Sequence, residues 1–161
     1  MTTDVSTRII NSSFSPAALS RGNVDIAGLL ANAHHKLGSH FIATENWSDA
    51  ETHLIRSSEL LESLVVSSPV HSPFQIELAQ VRSDLSDFFR GRDQPQRSRE
   101  VLELAIKEYS AFRETRTRLR PPVSLLIDLY DQLAQVLTQL GMSRQATEAA
   151  TTAAELRESK K

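Results

Sequence analysis

The sequence predicts an all-α protein built from three stacked antiparallel helix pairs. Three observations carry that expectation. Apolar residues recur at steps of three and four over long stretches. Proline and glycine are few and fall between those stretches. The chain also repeats itself at a step of 48 residues, from Leu37 to Leu85 to Leu133.

The apolar steps are regular. Leu30, Ala33, Leu37 and Phe41 form one series, Leu78, Val81, Leu85 and Phe89 a second, and Leu126, Leu129, Leu133 and Leu137 a third. Each is the single buried stripe of a helix with 3.6 residues per turn. Alternation of the strand type is nowhere sustained, so no sheet is expected.

Taken in order, residues 1–22 are rich in Ser and Thr, with a short apolar patch at Ile9, Ile10 and Phe14. They are expected to form a mobile tail, with room for one helical turn at 16–20. Six helices then follow at about 24–44, 47–66, 73–91, 95–116, 122–140 and 143–160. Proline fits a helix start because its missing N–H would be unpaired there, which places starts near Pro73, Pro95 and Pro122. Asn46 is a candidate N-cap for the helix opening at Trp47. Gly91 and Gly141 suit helix ends that need a left-handed residue. The repeat domain therefore covers 23–161, in units near 24–70, 71–120 and 121–161.

Composition narrows the function. With 161 residues the chain makes one domain with a sizeable core. Lys and Arg number 18 against 20 Asp and Glu, a net charge of −2. That balance gives no bulk electrostatic drive toward nucleic acid or an anionic membrane. Cysteine is absent, which excludes disulfides, thiolate metal sites and thiol catalysis. No apolar run approaches the length of a membrane span. Residues 1–5 carry no basic flank before an apolar stretch, so a cytoplasmic setting without a secretory leader is expected.

The repeat is more detailed than its leucines. After Leu37, Leu85 and Leu133 come the small residues Gly38, Ser86 and Ala134, then the large apolar residues Phe41, Phe89 and Leu137. Glu45, Asp93 and Gly141 share one turn position. Ala50, Ser98 and Ala146 align in the second helices, followed by Leu54, Leu102 and Ala150, then by Ser57, Ala105 and Ala153. Small residues let paired helices approach; large ones fill the space between. A single pair cannot bury its apolar faces alone, so pairs stack.

This order of Leu, small residue, aromatic, turn, Ala and large residue resembles the tetratricopeptide repeat over roughly residues 24–160. The period is longer than the usual repeat of about 34 residues, and the proline of the final helix is missing from its usual place. Repeats of this length are similar to arrays at the C-terminal end of some bacterial, planctomycete-like serine/threonine kinases. There "ELAQVRSDLSDFF" and "SLLIDLYDQLAQVLTQLG" would open repeats. No Gly-rich loop, catalytic Lys or catalytic-loop Asp of a kinase accompanies them. The resemblance implies a short right-handed solenoid and a non-catalytic protein-interaction module.

In such arrays the side of the first helices opposite the core stripe lines a concave groove. Here that side carries Asn32, His35 and Ser39 in the first unit. In the second it carries Gln80, Ser83, Asp87 and Arg90, and in the third Asp128, Asp131, Gln135 and Thr138. The third unit is acidic, which favours a neutral or basic peptide over an acidic tail. The Lys and Asn set that clamps a terminal carboxylate in chaperone-tail binders is not reproduced. Alternative readings are a scaffold for a kinase on another chain, a small secretion chaperone, and a self-associating protein that buries uncapped ends in a homodimer.

Other chemistry is weaker. His34, His35, His40, His53 and His71 lack the spacing of four that places two ligands on one helix face, so no metal is expected. No GxSxG occurs and no nucleophile stands with a base, so neither catalysis nor a cofactor is expected. Arg113, Arg116, Arg118 and Arg120 form the one local basic cluster, read as a solvated linker and helix end. The helix with Ala146, Ala149, Ala150, Ala153 and Ala154 is read as a close-packed terminal helix.

Overall fold

The computed structural model describes residues 21–69, 72–116 and 121–159. These form α1 (Arg21–Ala43), α2 (Trp47–Ser67), α3 (Ser72–Gly91), α4 (Pro95–Thr115), α5 (Val123–Gln139) and α6 (Ser143–Glu158). The described residues contain no strand. Helices pair in sequence as α1–α2, α3–α4 and α5–α6. Each pair meets the next mainly through a second helix against the following first helix, α2 on α3 and α4 on α5. The first helices α1, α3 and α5 are also neighbours.

The turn inside each pair is the same structure three times. The Asn46 amide donates to the Phe41 carbonyl at 2.9 Å, Gln94 to Phe89 at 2.9 Å, and Met142 to Leu137 at 2.9 Å. One residue earlier, Glu45 donates to Ile42, Asp93 to Arg90 and Gly141 to Thr138. These are the paired 6→1 and 5→2 bonds of a Schellman motif, which needs a left-handed residue. Glu45 (φ 57°), Asp93 (φ 56°) and Gly141 (φ 74°) supply it. The shared turn position is therefore a conformational requirement, met twice without glycine.

Several expectations need correcting here. Gly91 closes α3 in helical geometry, and the left-handed residue is Asp93. Asn46 makes no side-chain cap; its amide donates to Asp49 Oδ2 at 2.7 Å instead. Pro122 precedes α5 rather than opening it, and Arg21 and Gly22 belong to α1 rather than to the tail. The tail expected at 1–20 otherwise lies outside the described residues.

The first apolar stripe departs furthest from expectation. Leu78, Val81, Leu85 and Phe89 are buried, as are Leu126, Leu129, Leu133 and Leu137. In α1, by contrast, Leu30 is 38% and Leu37 42% exposed, Ala33 is exposed, and only Phe41 is half-buried. The buried line of α1 is Ala27, Ala31 and Gly38. The reason is positional: α3 and α5 each have a preceding second helix to cover this face, and among the described residues α1 has none.

Close approach within pairs follows the small residues. A Cβ on Gly38 would sit 2.7 Å from Leu54 Cγ. The hydroxyls of Ser86 and Ser98 meet at 2.7 Å in full burial. Between units, Leu60, Leu61 and Leu64 of α2 pack with Phe74, Leu78 and Val81 of α3. Arg82, 3% exposed, bridges Glu62 of α2 at 2.9 Å and Glu108 of α4 at 2.5 Å, so this buried guanidinium has a carboxylate on either side. Tyr109 donates its hydroxyl to the Pro122 carbonyl at 3.1 Å, and burial pushes its pKa up to about 12.

Candidate binding surface on the first helices

The expected groove residues are not a uniform solvated face. Several stitch neighbouring first helices together. His35 Nε2 lies 2.6 Å from Asp84 Oδ2. Ser83 donates to Gln132 Oε1 at 3.0 Å. Both links join a residue to one 49 positions on, so the repeat reproduces one inter-helix contact with different chemistry. Gln132 donates to Asp87 Oδ2 at 3.0 Å, and Arg90 reaches both Asp87 Oδ1 at 2.8 Å and Gln135 Oε1 at 3.1 Å.

The remaining groove residues behave otherwise. Asp131 has no following first helix among the described residues and pairs with Arg157 of α6 instead. Ser39 and Thr138 donate back to the carbonyls of His35 and Ala134. Gln80 and Asp128 are exposed, and so is Asn32, beside a shallow hollow near Phe74.

Between α1 and α3, near the turn end, the surface opens into a hollow of about 400 Å³. Its apolar lining is Ile42, Trp47 and Phe88, and its polar lining is Ser39, Asp84, Asp87 and Arg92. The Trp47 and Phe88 rings stand 6.4 Å apart, and the Arg92 guanidinium lies 5.1 Å from the Trp47 ring centre. Such a surface can seat an apolar side chain, and Asp84 and Asp87, which His35, Arg90 and Gln132 already hold, add a charged edge beside Arg92.

Reading the sequence found Ser39 and Asp87 of this hollow and missed Ile42, Trp47, Asp84, Phe88 and Arg92. A signal was present. Ile42 stands where the other units have Arg90 and Thr138, and Trp47, the single tryptophan, stands where they have Pro95 and Ser143. A departure from the repeat, not agreement with it, marked the site.

Two other clusters lie elsewhere. His34 Nδ1 and His53 Nδ1 approach to 2.7 Å, with Phe41 stacked on His53 at 5.3 Å. Burial, then the charges of His53 and Arg56, hold His34 below its ordinary pKa. These histidines are 19 residues apart on two helices, which is why their spacing concealed the contact. Among the described residues no three His, Asp or Glu gather as metal ligands. In the basic cluster, Arg113 donates to the Pro121 carbonyl and Arg116 to that of Pro69; Arg118 and Arg120, like His71, lie outside the described residues. No helix among the described residues is long and apolar enough to cross a membrane. Compared with protein-family models, curated proteins and solved structures, the chain finds no match in any of the three.

Proposed function

We propose that this chain is a non-catalytic protein-interaction module of the tetratricopeptide-like kind, a right-handed array that binds a peptide segment along its first helices. The observation that supports it most is the hollow at Trp47. It is an apolar floor open to solvent, with Asp84, Asp87 and Arg92 on its rim. The fitting segment presents a Leu- or Phe-sized side chain next to a Lys or Arg. Apolar burial supplies most of the affinity, and Asp84 and Asp87 supply register and preference.

Selection of displayed peptides against the chain tests this reading. The expected consensus pairs one large apolar residue with an adjacent basic one. Binding should shift the emission of Trp47, which is the single tryptophan. Ser39→Arg, at an exposed position on the rim, should keep its helical circular dichroism and weaken these peptides by roughly tenfold or more. Peptides that leave Trp47 emission unmoved and bind Ser39→Arg equally well would remove the hollow from consideration.

A further inference from the structure

The outer face of α1 carries a seam that nothing in the described structure covers. Ile26 is 64% exposed and Leu29 73%, alongside the half-open Leu30 and Leu37. Ile26, Leu30, Ala33 and Leu37 are spaced four, three and four, the a/d spacing by which two helices interlock. Their counterparts in α3, Phe74, Leu78, Val81 and Leu85, are all buried under the preceding unit. The α1 face therefore has the composition of an interface.

Three features of the chain choose the occupant. First, the opposite end of the array does not complement this seam. Where α2 and α4 bury Leu54 and Leu102, then Leu61 and Tyr109, α6 exposes Ala150 and Arg157. Head-to-tail stacking of copies would thus set the seam against small and charged residues, so an open polymer is disfavoured. A self-complementary, two-fold contact is the remaining closed solution. Second, the seam reads the same way in reverse. Antiparallel pairing sets Ile26 against Leu37 of a second copy and the large Leu30 against the small Ala33. Third, Asp25 and Lys36 are exposed and make no ion pair within the described chain. At about 100° per residue they fall on the same flank of the seam. Antiparallel helices bring like flanks together, so each Asp25 meets the other copy's Lys36, whereas parallel pairing would set this flank against the opposite flank of the partner and leave both charges without that match.

We infer that α1 is a homodimerisation helix, which pairs antiparallel with α1 of a second copy through Ile26, Leu30, Ala33 and Leu37, with two Asp25–Lys36 ion pairs at its edges. The contact involves a single helix from each copy, so the dimer is reversible, with Kd on the order of 1–100 µM. It does not rest on the hollow at Trp47, and either reading can fail alone.

Sedimentation equilibrium of the full chain over a concentration series tests it. The mass should rise from 17.9 kDa toward twice that value. Leu30→Glu, at a position already open to solvent, should stay folded and weaken the dimer at least about tenfold. Asp25→Lys should weaken it severalfold, and adding Lys36→Asp to that variant should restore it, which a general loss of fold would not do. A monomer at all concentrations up to roughly 0.5 mM overturns the inference. So does a dimer that ignores Leu30→Glu, since it forms elsewhere. A monomer that dimerises only after deletion of residues 1–20 also overturns it, because the seam's occupant is then the chain's own N-terminal segment.

Discussion

The first and last units share one helix-pair design and one turn geometry, yet their outer faces are opposites. At the start of the array, α1 offers Ile26, Leu30 and Leu37 to solvent. At the end, α6 presents Ala150, Ala154 and Arg157 at positions where α2 and α4 bury Leu54, Ser58 and Leu61, and Leu102, Ile106 and Tyr109. One end keeps the residues of an interior contact and the other has exchanged them for residues that tolerate water. Arg157 then turns back onto Asp131, so the last unit satisfies its own charge. A terminal repeat is not recognised by position alone; it is recognised by whether its outward side chains have lost volume and gained polarity.

The sharpest test of that contrast compares equivalent leucines. Leu78→Ala removes a 1% exposed side chain and should cost about 2–5 kcal/mol. Leu30→Ala, one repeat earlier, should cost less than about 1 kcal/mol in dilute solution. Urea unfolding of both variants at low concentration reads the difference. Equal costs would mean that the α1 face is covered even in the monomer.

Next in size is the helix contact inside the first unit. Gly38→Ala pushes a methyl into Leu54, with Cβ 2.7 Å from Cγ, and should destabilise by about 1–3 kcal/mol. The counterpart in the last unit, Ala134, already carries that methyl, and the repeat position of Leu54 is there taken by Ala150. Ala134→Gly should therefore lower stability only by its helix propensity, about 1 kcal/mol. Thermal melts of the two variants would show whether close approach is peculiar to the first pair.

The turns give a smaller, signed contrast. Gly141→Ala places a side chain at φ 74° and should cost about 1 kcal/mol. Glu45→Gly, at the same turn in the first unit, should raise stability by a few tenths to about 1 kcal/mol. Asp93→Gly should gain less, since Asp tolerates this region better than Glu. A Glu45→Gly variant that melts lower than the parent would show that the Glu45 side chain has a favourable role in the turn.

The smallest effect is a pH dependence that arises in the first unit. Because burial holds His34 below its ordinary value of 6.5, the unfolded chain takes up its proton first as pH falls. Stability from this group is complete above the unfolded pKa and is lost as pH drops through 6.5 toward the depressed folded value. Between about pH 7.5 and 5.5 the parent's melting temperature should therefore fall more than that of His34→Gln, by a degree or two. Identical slopes would remove the His34–His53 contact as a source of it.

Much of this architecture was legible in the residues themselves. The six helices, with ends within about three residues of those expected, the step of 48 and the shared turn position follow from local chemistry, because prolines, small residues and left-handed turns act within a few residues of where they stand. Within the candidate surface, Ser39 and Asp87 were legible because they repeat. Trp47, Ile42 and Arg92 were not, because they depart from the repeat and meet only when the first helix pair packs on α3 and the turn after it. His34 and His53 likewise come together across two helices.

What the chain alone established, then, is periodicity: where helices begin and turn, and which residues form stripes. Which stripes are buried was decided by tertiary structure. Leu30 and Leu78 are the same residue at the same repeat position with similar neighbours. One is covered by a preceding helix and the other is open, since burial depends on what packs against a face and not on the face itself.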